Sequence, residues 1–152
     1  MKLIIAGGRD FPTNVAKKLV EYVVKASNWE REISLVLEGG ALGIDRGAYL
    51  WAEGLGLPTK RIEARWNDWD GLPADRILLR RNSRGELYNA KAGPNRNEEM
   101  GEEGDRLIAI PGQNSRGTYH MIRVMKDLGK PTIVYDYTNG KLIQYRRRIN
   151  GE

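Results

Sequence analysis

The feature that most constrains the fold is an alternation of short apolar runs with segments of helical pattern. Five runs rich in isoleucine, leucine and valine are separated by segments whose apolar residues recur at helical spacing. Runs that are apolar on both faces predict parallel strands with helices covering both sides of the sheet. The predicted strands span residues 3–6, 33–38, 59–64, 106–110 and 131–137, and the predicted helices span residues 15–25, 44–56, 93–104 and 117–129.

The order of these elements predicts the architecture. Right-handed crossovers between parallel strands give an α/β fold, Rossmann-like and doubly wound, with a mostly parallel sheet of about five strands. The turn signal at residues 138–140, between "TIVYDY" and "KLIQYRR", predicts a C-terminal hairpin. We interpret residues 1–152 as one domain, because no linker or repeat divides them.

One segment, residues 65–92, does not fit the alternation. It holds Trp66, Trp69, a proline and a possible hairpin formed by "RILLRR" and "ELYNA". We interpret it as an insertion packed beside the sheet, and a lid over a site is the alternative. The two tryptophans either stack on a base or pack within the insertion.

Composition excludes several kinds of function. The chain has no cysteine, which rules out disulfides, thiolate catalysis and cysteine-bound zinc, and no cluster has metal-ligand spacing. We expect no cofactor, no membrane span and a cytoplasmic protein. The net charge of +5 favours phosphates, on a small nucleotide or a nucleic acid, or reflects a solvated basic surface. Part of that charge lies in "YRRRI", residues 145–149.

Glycine-rich loops follow three of the predicted strands, at residues 7–11, 39–46 and 111–118. Ligands of open parallel sheets bind at the carboxyl ends of the strands, near the point where the strand order reverses. Glycine lets the backbone approach a ligand closely, and a helix that begins after such a loop points free N–H groups at an anion. The sequence therefore predicts a pocket for a phosphate or ribose phosphate. Neither G-x-G-x-x-G nor the P-loop motif is present, which argues against a dehydrogenase or P-loop NTPase.

Individual residues of these loops carry alternative interpretations. Arg9 pairs with a phosphate or forms a surface salt bridge with Asp10. Asp45 accepts a hydrogen bond from a ribose hydroxyl or only stabilises a helix N-terminus. Asn114 or Ser115 binds the ligand or instead caps the last helix. The predicted ligand-binding residues are Gly7, Gly8, Arg9, Gly39, Gly40, Asp45, Arg96, Asn97, Gly112, Ser115, Gly117 and Thr118.

Four segments together resemble the SLOG superfamily of Rossmann-like domains, and within it the YspA-type branch. They are "IIAGGRDF", "EGGALGIDRGAYLWAEGLGLP", "AGPNRNEEM" and "LIAIPGQNSRGT", and the match covers most of residues 1–135 apart from the insertion. The superfamily includes LOG phosphoribohydrolases, which cleave the N-glycosidic bond of nucleoside monophosphates, and DprA, which binds single-stranded DNA. The resemblance implies a nucleotide or ADP-ribose-type ligand and a homo-oligomer such as a dimer.

The departures from the LOG pattern bear on catalysis. The LOG motif carries a glutamate where this chain has Met121, and a thioether cannot act as a carboxylate does. The resemblance implies that Arg96 corresponds to the LOG catalytic arginine. Glu98 or Glu99 either supplies a replacement carboxylate or belongs to a solvated helix face. His120, the one histidine, is more typical of a packed or surface residue than of an acid–base group.

Three hypotheses follow from the sequence. The first is a domain that senses or processes a nucleotide, with N-glycosidic hydrolysis as the expected reaction if it is an enzyme. The second is a DprA-like single-stranded DNA-binding protein, since "NSRGTYHMI" and "GGALGIDRGA" are nearer the DprA versions of these loops. The third is a catalytically inactive scaffold that acts by oligomerising.

Overall fold

A six-stranded sheet organises residues 1–145, the part of the chain that the computed structural model describes. The strands of the described chain are β1 (Lys2–Gly7), β2 (Leu35–Glu38), β3 (Thr59–Arg61), β4 (Leu79–Arg81), β5 (Leu87–Asn89), β6 (Arg106–Ile110), β7 (Thr132–Asp136) and β8 (Lys141–Tyr145). Six of them form the main sheet in the order β3-β2-β1-β6-β7-β8, and β4 and β5 form a separate two-stranded sheet. The helices are α1 (Thr13–Ser27), α2 (Ile44–Gly54), α3 (Ala92–Glu103) and α4 (Arg116–Asp127), with short 3₁₀ turns at Glu30–Glu32 and Ala74–Arg76.

The predicted α/β class, the mostly parallel sheet and the C-terminal hairpin are confirmed. Strands β3, β2, β1, β6 and β7 run parallel, and β8 pairs antiparallel with β7 across the predicted turn. The third strand is shorter than predicted, because β3 pairs only with β2, which ends at Glu38 before the Gly39-Gly40 turn. The part of "KLIQYRR" and of the basic cluster that follows Tyr145 lies outside the described residues.

Helices cover both faces of the sheet, as the apolar strands require. Successive residues of a strand point to opposite faces, so Leu3 and Ile5 pack under α1 and α2, while Ile4 faces α3 and α4. Both cores are closely packed, since all three of these strand residues are fully buried. None of the helices within residues 1–145 is long and apolar enough to cross a membrane.

Residues 65–92 form a small structure beside the start of α3. The two strands of the possible hairpin, β4 and β5, do pair antiparallel. Asn89 organises this segment, because it is fully buried and its side chain accepts from the N–H of Leu78 and of Lys91 and donates to the Arg76 carbonyl. Arg76 also forms an ion pair with Glu98 of α3. The segment is thus tied to α3 through polar contacts rather than left as a loose loop.

Candidate functional site

The strand order places a cleft at the carboxyl edge of the sheet. From β1 the chain moves outward to β2 and β3, and it then returns to the other side of β1 to form β6 and β7. The point of reversal therefore lies between β1 and β6, where ligands of open α/β sheets bind. A cleft of about 300 Å³ occupies this point, lined by the loops after β1, β2 and β6 and by one side of α3.

The loops after β1 and β6 approach each other too closely for side chains at their glycines. The Gly8 N–H donates to the Ile110 carbonyl at 3.0 Å, and a Cβ on Gly8 would lie 2.7 Å from the backbone of Gly112. Asp10 bridges the same two loops, since its carboxylate accepts from the Gln113 N–H at 3.3 Å. This bridging role of Asp10 was not predicted, and the sequence offers no local signal for it.

The loop after β2 is joined to the loop after β1 through Gly43. Gly43 has φ 78° and ψ −126°, which only glycine adopts readily, and a Cβ there would lie 2.2 Å from the Gly8 carbonyl oxygen. The N–H of Ile44, the first residue of α2, donates to that same oxygen at 3.1 Å. Backbone contacts and the Asp10 carboxylate therefore hold the three loops in one arrangement.

The N-terminus of α4 presents unpaired backbone donors at the cleft. The first intrahelical bond runs from the Tyr119 N–H to the Ser115 carbonyl at 3.0 Å, so the N–H groups of Arg116, Gly117 and Thr118 have no intrahelical acceptor. These three residues and Ser115 line the cleft. Free N–H groups and the positive end of the helix dipole together favour an anion at this position.

The prediction that Asn114 or Ser115 caps α4 with its side chain is wrong. Ser115 does precede the helix, but no side-chain cap bond forms. Its hydroxyl instead accepts from the Gly112 N–H at 2.7 Å, which closes the loop on itself. Asn114 adopts a left-handed conformation with φ 55°. The donors that a cap would have satisfied thus stay available to a ligand.

Arg96 links the carboxyl ends of β2 and β3 through hydrogen bonds. Its Nη1 donates to the Gly39 carbonyl at 2.9 Å and to the Ile62 carbonyl at 3.4 Å, and its Nε donates to Asn97 Oδ1 at 3.1 Å. Burial lowers the pKa of the guanidinium, the Asp45 carboxylate raises it, and the charge on Arg9 lowers it again. Arg96 lines the cleft, but its guanidinium donates mainly to groups of the protein itself rather than toward the cleft.

Arg9 is an exposed cation at the cleft, which the exposed Arg116 also lines. The salt bridge with Asp10 that we weighed does not form, and Arg9 has no ion pair within residues 1–145. Its charge acts on Arg96 across the cleft, since it contributes to the lowered pKa of that residue. Two like charges that face one cavity are stabilised when an anion lies between them.

Asn97 and His120 connect α3 to α4. The Asn97 amide donates to the Gly117 carbonyl at 3.1 Å and contacts His120 Nδ1 at the same distance, and Asn97 is almost fully buried. With the Asn97 amide as donor, Nδ1 accepts and the ring proton lies on Nε2. Burial lowers the pKa of His120, the nearby Glu98 raises it and the charge on Arg123 lowers it. His120 does not line the cleft, so it positions Asn97.

Asp45 is the buried carboxylate of the cleft. It is 6 % exposed, and its Oδ2 accepts from the Ala41 N–H at 3.1 Å. Burial raises the pKa of Asp45 to about 6, while the Ala41 hydrogen bond and the Arg96 charge lower it and the Glu38 charge raises it. A buried carboxyl group that titrates near neutrality in a cleft is a candidate for binding or proton transfer.

We expect Asp45 to make the stability of the protein depend on pH. Its pKa is raised on folding, so its contribution to stability is complete below the unfolded value of 3.8 and is lost as the pH rises through about 6. Asp45→Asn should abolish this loss, which amounts to about 3 kcal/mol between pH values of about 4 and about 6. Urea unfolding of both proteins across this range measures it, and a difference in stability that does not change with pH would contradict the assignment.

The carboxylates proposed to replace the LOG glutamate do not reach the cleft. Glu98 pairs with Arg76, and Glu99 is exposed and lines another cavity. Met121 is fully buried among the methionines of the core. The carboxyl groups that line the cleft are instead Asp10 and Asp45.

The predicted ligand residues divide into two groups. Three of them stand apart from the cleft: Gly39 and Gly40 line a neighbouring cavity, and Gly112 lies behind Asp10. The remaining predicted residues line the cleft: Gly7, Gly8, Arg9, Asp45, Arg96, Asn97, Ser115, Gly117 and Thr118.

The comparisons with known proteins agree with this architecture. No protein-family model and no curated protein matches the chain. Among solved structures, the X-ray structure of DNA processing protein A (DprA) from Streptococcus pneumoniae is similar, with a TM-score of 0.60 and 20 % identity. The match covers 88 % of this chain and 49 % of that one, so the chain spans about half the length of DprA. The likeness establishes a shared fold.

Proposed function

We propose that the cleft binds the phosphate of a nucleotide or a nucleotide-derived ligand such as ADP-ribose. The observation that carries this proposal is the meeting of the α4 N-terminus, with its unpaired N–H groups, and Arg9, which has no ion pair within residues 1–145. Helix N-termini and guanidinium groups both bind phosphate, the first through free N–H groups and the second through paired hydrogen bonds. Ser115 and Thr118 add hydroxyl groups beside them.

The rest of the cleft suits the sugar of such a ligand. With phosphate against α4, the ribose extends toward the loop after β2, where Asp45 is the buried acceptor. A carboxylate accepts hydrogen bonds from ribose hydroxyl groups, as in dinucleotide-binding folds. Asn97 keeps the first turn of α4 in place by binding the Gly117 carbonyl.

Hydrolysis of the N-glycosidic bond is the reaction that these residues fit if the protein is an enzyme. Water attacks C1′ of the ribose and loses a proton, and the bond to the base breaks with its electron pair going to the base. The departing base takes up a proton from solvent. Asp45 is the carboxyl group of the cleft suited to accept that proton, since its pKa lies near 6. Arg96, which corresponds to the LOG catalytic arginine, then orients the site through the carbonyls that it holds.

Calorimetric titration tests the binding proposal directly. AMP, ADP-ribose and ribose 5-phosphate should all release heat on binding. Adenosine, which lacks phosphate, should bind at least about 10-fold more weakly than AMP. Chromatography of the same mixtures for free base reports turnover, and Asp45→Asn should abolish it. Folded protein that gives no heat with any phosphate-bearing compound would overturn the proposal.

A second candidate is a single-stranded DNA-binding function. The fold shared with DNA processing protein A and the net charge of +5 favour it, together with the DprA-like loop at residues 114–122. Such binding weakens steeply as salt rises, because each neutralised phosphate releases counterions. A mobility-shift titration at two salt concentrations tests it, and an oligonucleotide that is not retained even at low salt would eliminate it. The predicted homo-oligomer stays a prediction, which light scattering measures.

A further inference from the structure

A second cavity opens directly beside the cleft. It has a volume of about 410 Å³, and Arg9, Ala41 and Arg96 line both spaces. The residues that belong to it alone come from the loop after β2 and from the segment that follows β3, and they include Leu42 and Trp66. In the proposed pose the phosphate lies against α4 and the sugar lies at Asp45. The next part of such a ligand would extend into this cavity.

Trp66 presents a partly exposed ring at this cavity. It is 39 % exposed, and its ring meets Tyr88 edge to face, with centroids 6.4 Å apart and an interplanar angle of 63°. Gly93 at the start of α3 leaves room for the ring, since a Cβ there would lie 3.3 Å from the indole. The ring therefore packs against Tyr88 and Gly93, and Trp66 also lines the cavity.

The backbone that carries Trp66 is also held in place. The Trp66 carbonyl accepts from the Asn89 N–H at 2.8 Å. Asn89 is itself fully buried, and its side chain accepts from Leu78 at 2.9 Å and from Lys91 at 3.1 Å. A buried amide with satisfied hydrogen bonds orders the chain around it. The indole thus belongs to a preformed wall, which lowers the entropic cost of binding against it.

Leu42 adds an apolar surface to the same cavity. Its side chain is 73 % exposed, the most exposed of the large hydrophobic residues described. Apolar side chains next to an exposed aromatic ring, with charged groups at the rim, are typical of a site for a flat heteroaromatic ligand. The charged groups that line this cavity are Arg9, Arg96 and Glu63. The other tryptophan of the segment, Trp69, lines neither cavity.

We infer that this second cavity is the base subsite of the bound nucleotide, with Trp66 stacking on the base. The inference rests on the proposed function, because it takes the phosphate in the cleft as given. It assigns to residues 65–92 the recognition of the base, which the glycine-rich loops alone do not provide. Stacking of a base on an aromatic side chain strengthens binding by about 10-fold or more.

The test compares ligands with and without a base. For Trp66→Leu, the affinity for AMP should fall about 10-fold, while the affinity for ribose 5-phosphate should stay within about twofold of wild type. Trp66→Phe keeps an aromatic ring and should retain most of the affinity for AMP. Trp69→Leu is the matched control in the same segment and should leave both affinities unchanged.

The outcomes separate the two proposals. If neither AMP nor ribose 5-phosphate binds to the wild type, the phosphate site itself is wrong and the base subsite falls with it. If both bind to the wild type and Trp66→Leu weakens them equally or not at all, only the base subsite is overturned. Quenching of tryptophan fluorescence by AMP, present in the wild type and lost in Trp66→Phe, gives the same answer should Trp66→Leu fail to fold.

Discussion

Replacing Arg96 by methionine should lower the free energy of unfolding by about 3 kcal/mol, whereas replacing Arg9 by methionine should change it by less than about 0.5 kcal/mol. Arg96 donates to the carbonyls of Gly39 and Ile62, and these acceptors lose a charged donor in the variant. Arg9 is exposed and has no ion pair within residues 1–145, so its removal leaves no partner unsatisfied. Urea unfolding followed by circular dichroism measures both.

The same two variants should both weaken the binding of AMP, but only Arg96→Met should also lower stability. Arg9→Met should lower the affinity for AMP by about 10-fold or more while the protein keeps its wild-type unfolding midpoint, because only the phosphate contact is lost. Arg96→Met should weaken binding together with the fold, since the ends of β2 and β3 are no longer held. Arg116→Met is a useful comparison, because this exposed residue also lines the cleft. An Arg9 variant as unstable as the Arg96 variant would show that both arginines are structural.

Gly43→Ala should be the most damaging single methyl addition, lowering the free energy of unfolding by about 4 kcal/mol. The added Cβ would lie 2.2 Å from the Gly8 carbonyl oxygen, and the conformation with φ 78° is strained for alanine. Relief requires the loop after β2 to move away from the loop after β1, which breaks the bond from the Ile44 N–H to Gly8. Thermal or urea unfolding measures the loss.

Gly117→Ala should do the reverse, and the contrast identifies what each glycine is for. Nothing lies within 4 Å of a Cβ at Gly117, and alanine favours a helix by up to about 1 kcal/mol over glycine, so stability should hold or rise. Because Gly117 lines the cleft, we expect a methyl group there to obstruct a phosphate at the α4 N-terminus, and AMP should bind about 10-fold more weakly. Gly54→Ala, also helical and unobstructed, is the control and should leave binding unchanged. If Gly117→Ala bound AMP as tightly as the wild type, the anion would not bind at the N-terminus of α4.

The fold was predictable because the signals for it are local. Short apolar runs mark β1, β6 and β7 as buried strands wherever they stand in the sheet, and helical periodicity marks the segments between them. The turn at residues 138–140 likewise specifies a hairpin through its own few residues. The strand lengths were less predictable, because β3 ends where its neighbour β2 stops pairing.

Parts of the site depended on contacts that no local pattern encodes. Asp10 bridges to Gln113 across more than a hundred residues of sequence. Arg96 of α3 donates to backbone carbonyls that follow two different strands, β2 and β3. Gly39 and Gly40 carry the same glycine-rich signal as Gly7 and Gly8, yet they line the neighbouring cavity. The difference arises because β2 lies one strand away from the point where the strand order reverses.

The sequence by itself determined the α/β class, the hairpin and the chemistry of the loops at the strand ends, since periodicity and glycine conformation act over a few residues. Only the tertiary structure decided which donors stay unpaired. Ser115 turned to Gly112 rather than capping α4, Arg96 was drawn into bracing the strands, and Arg9 was left exposed. Those outcomes depend on the register and packing of elements far apart in the chain, where buried polar groups must find partners before any remain for a ligand.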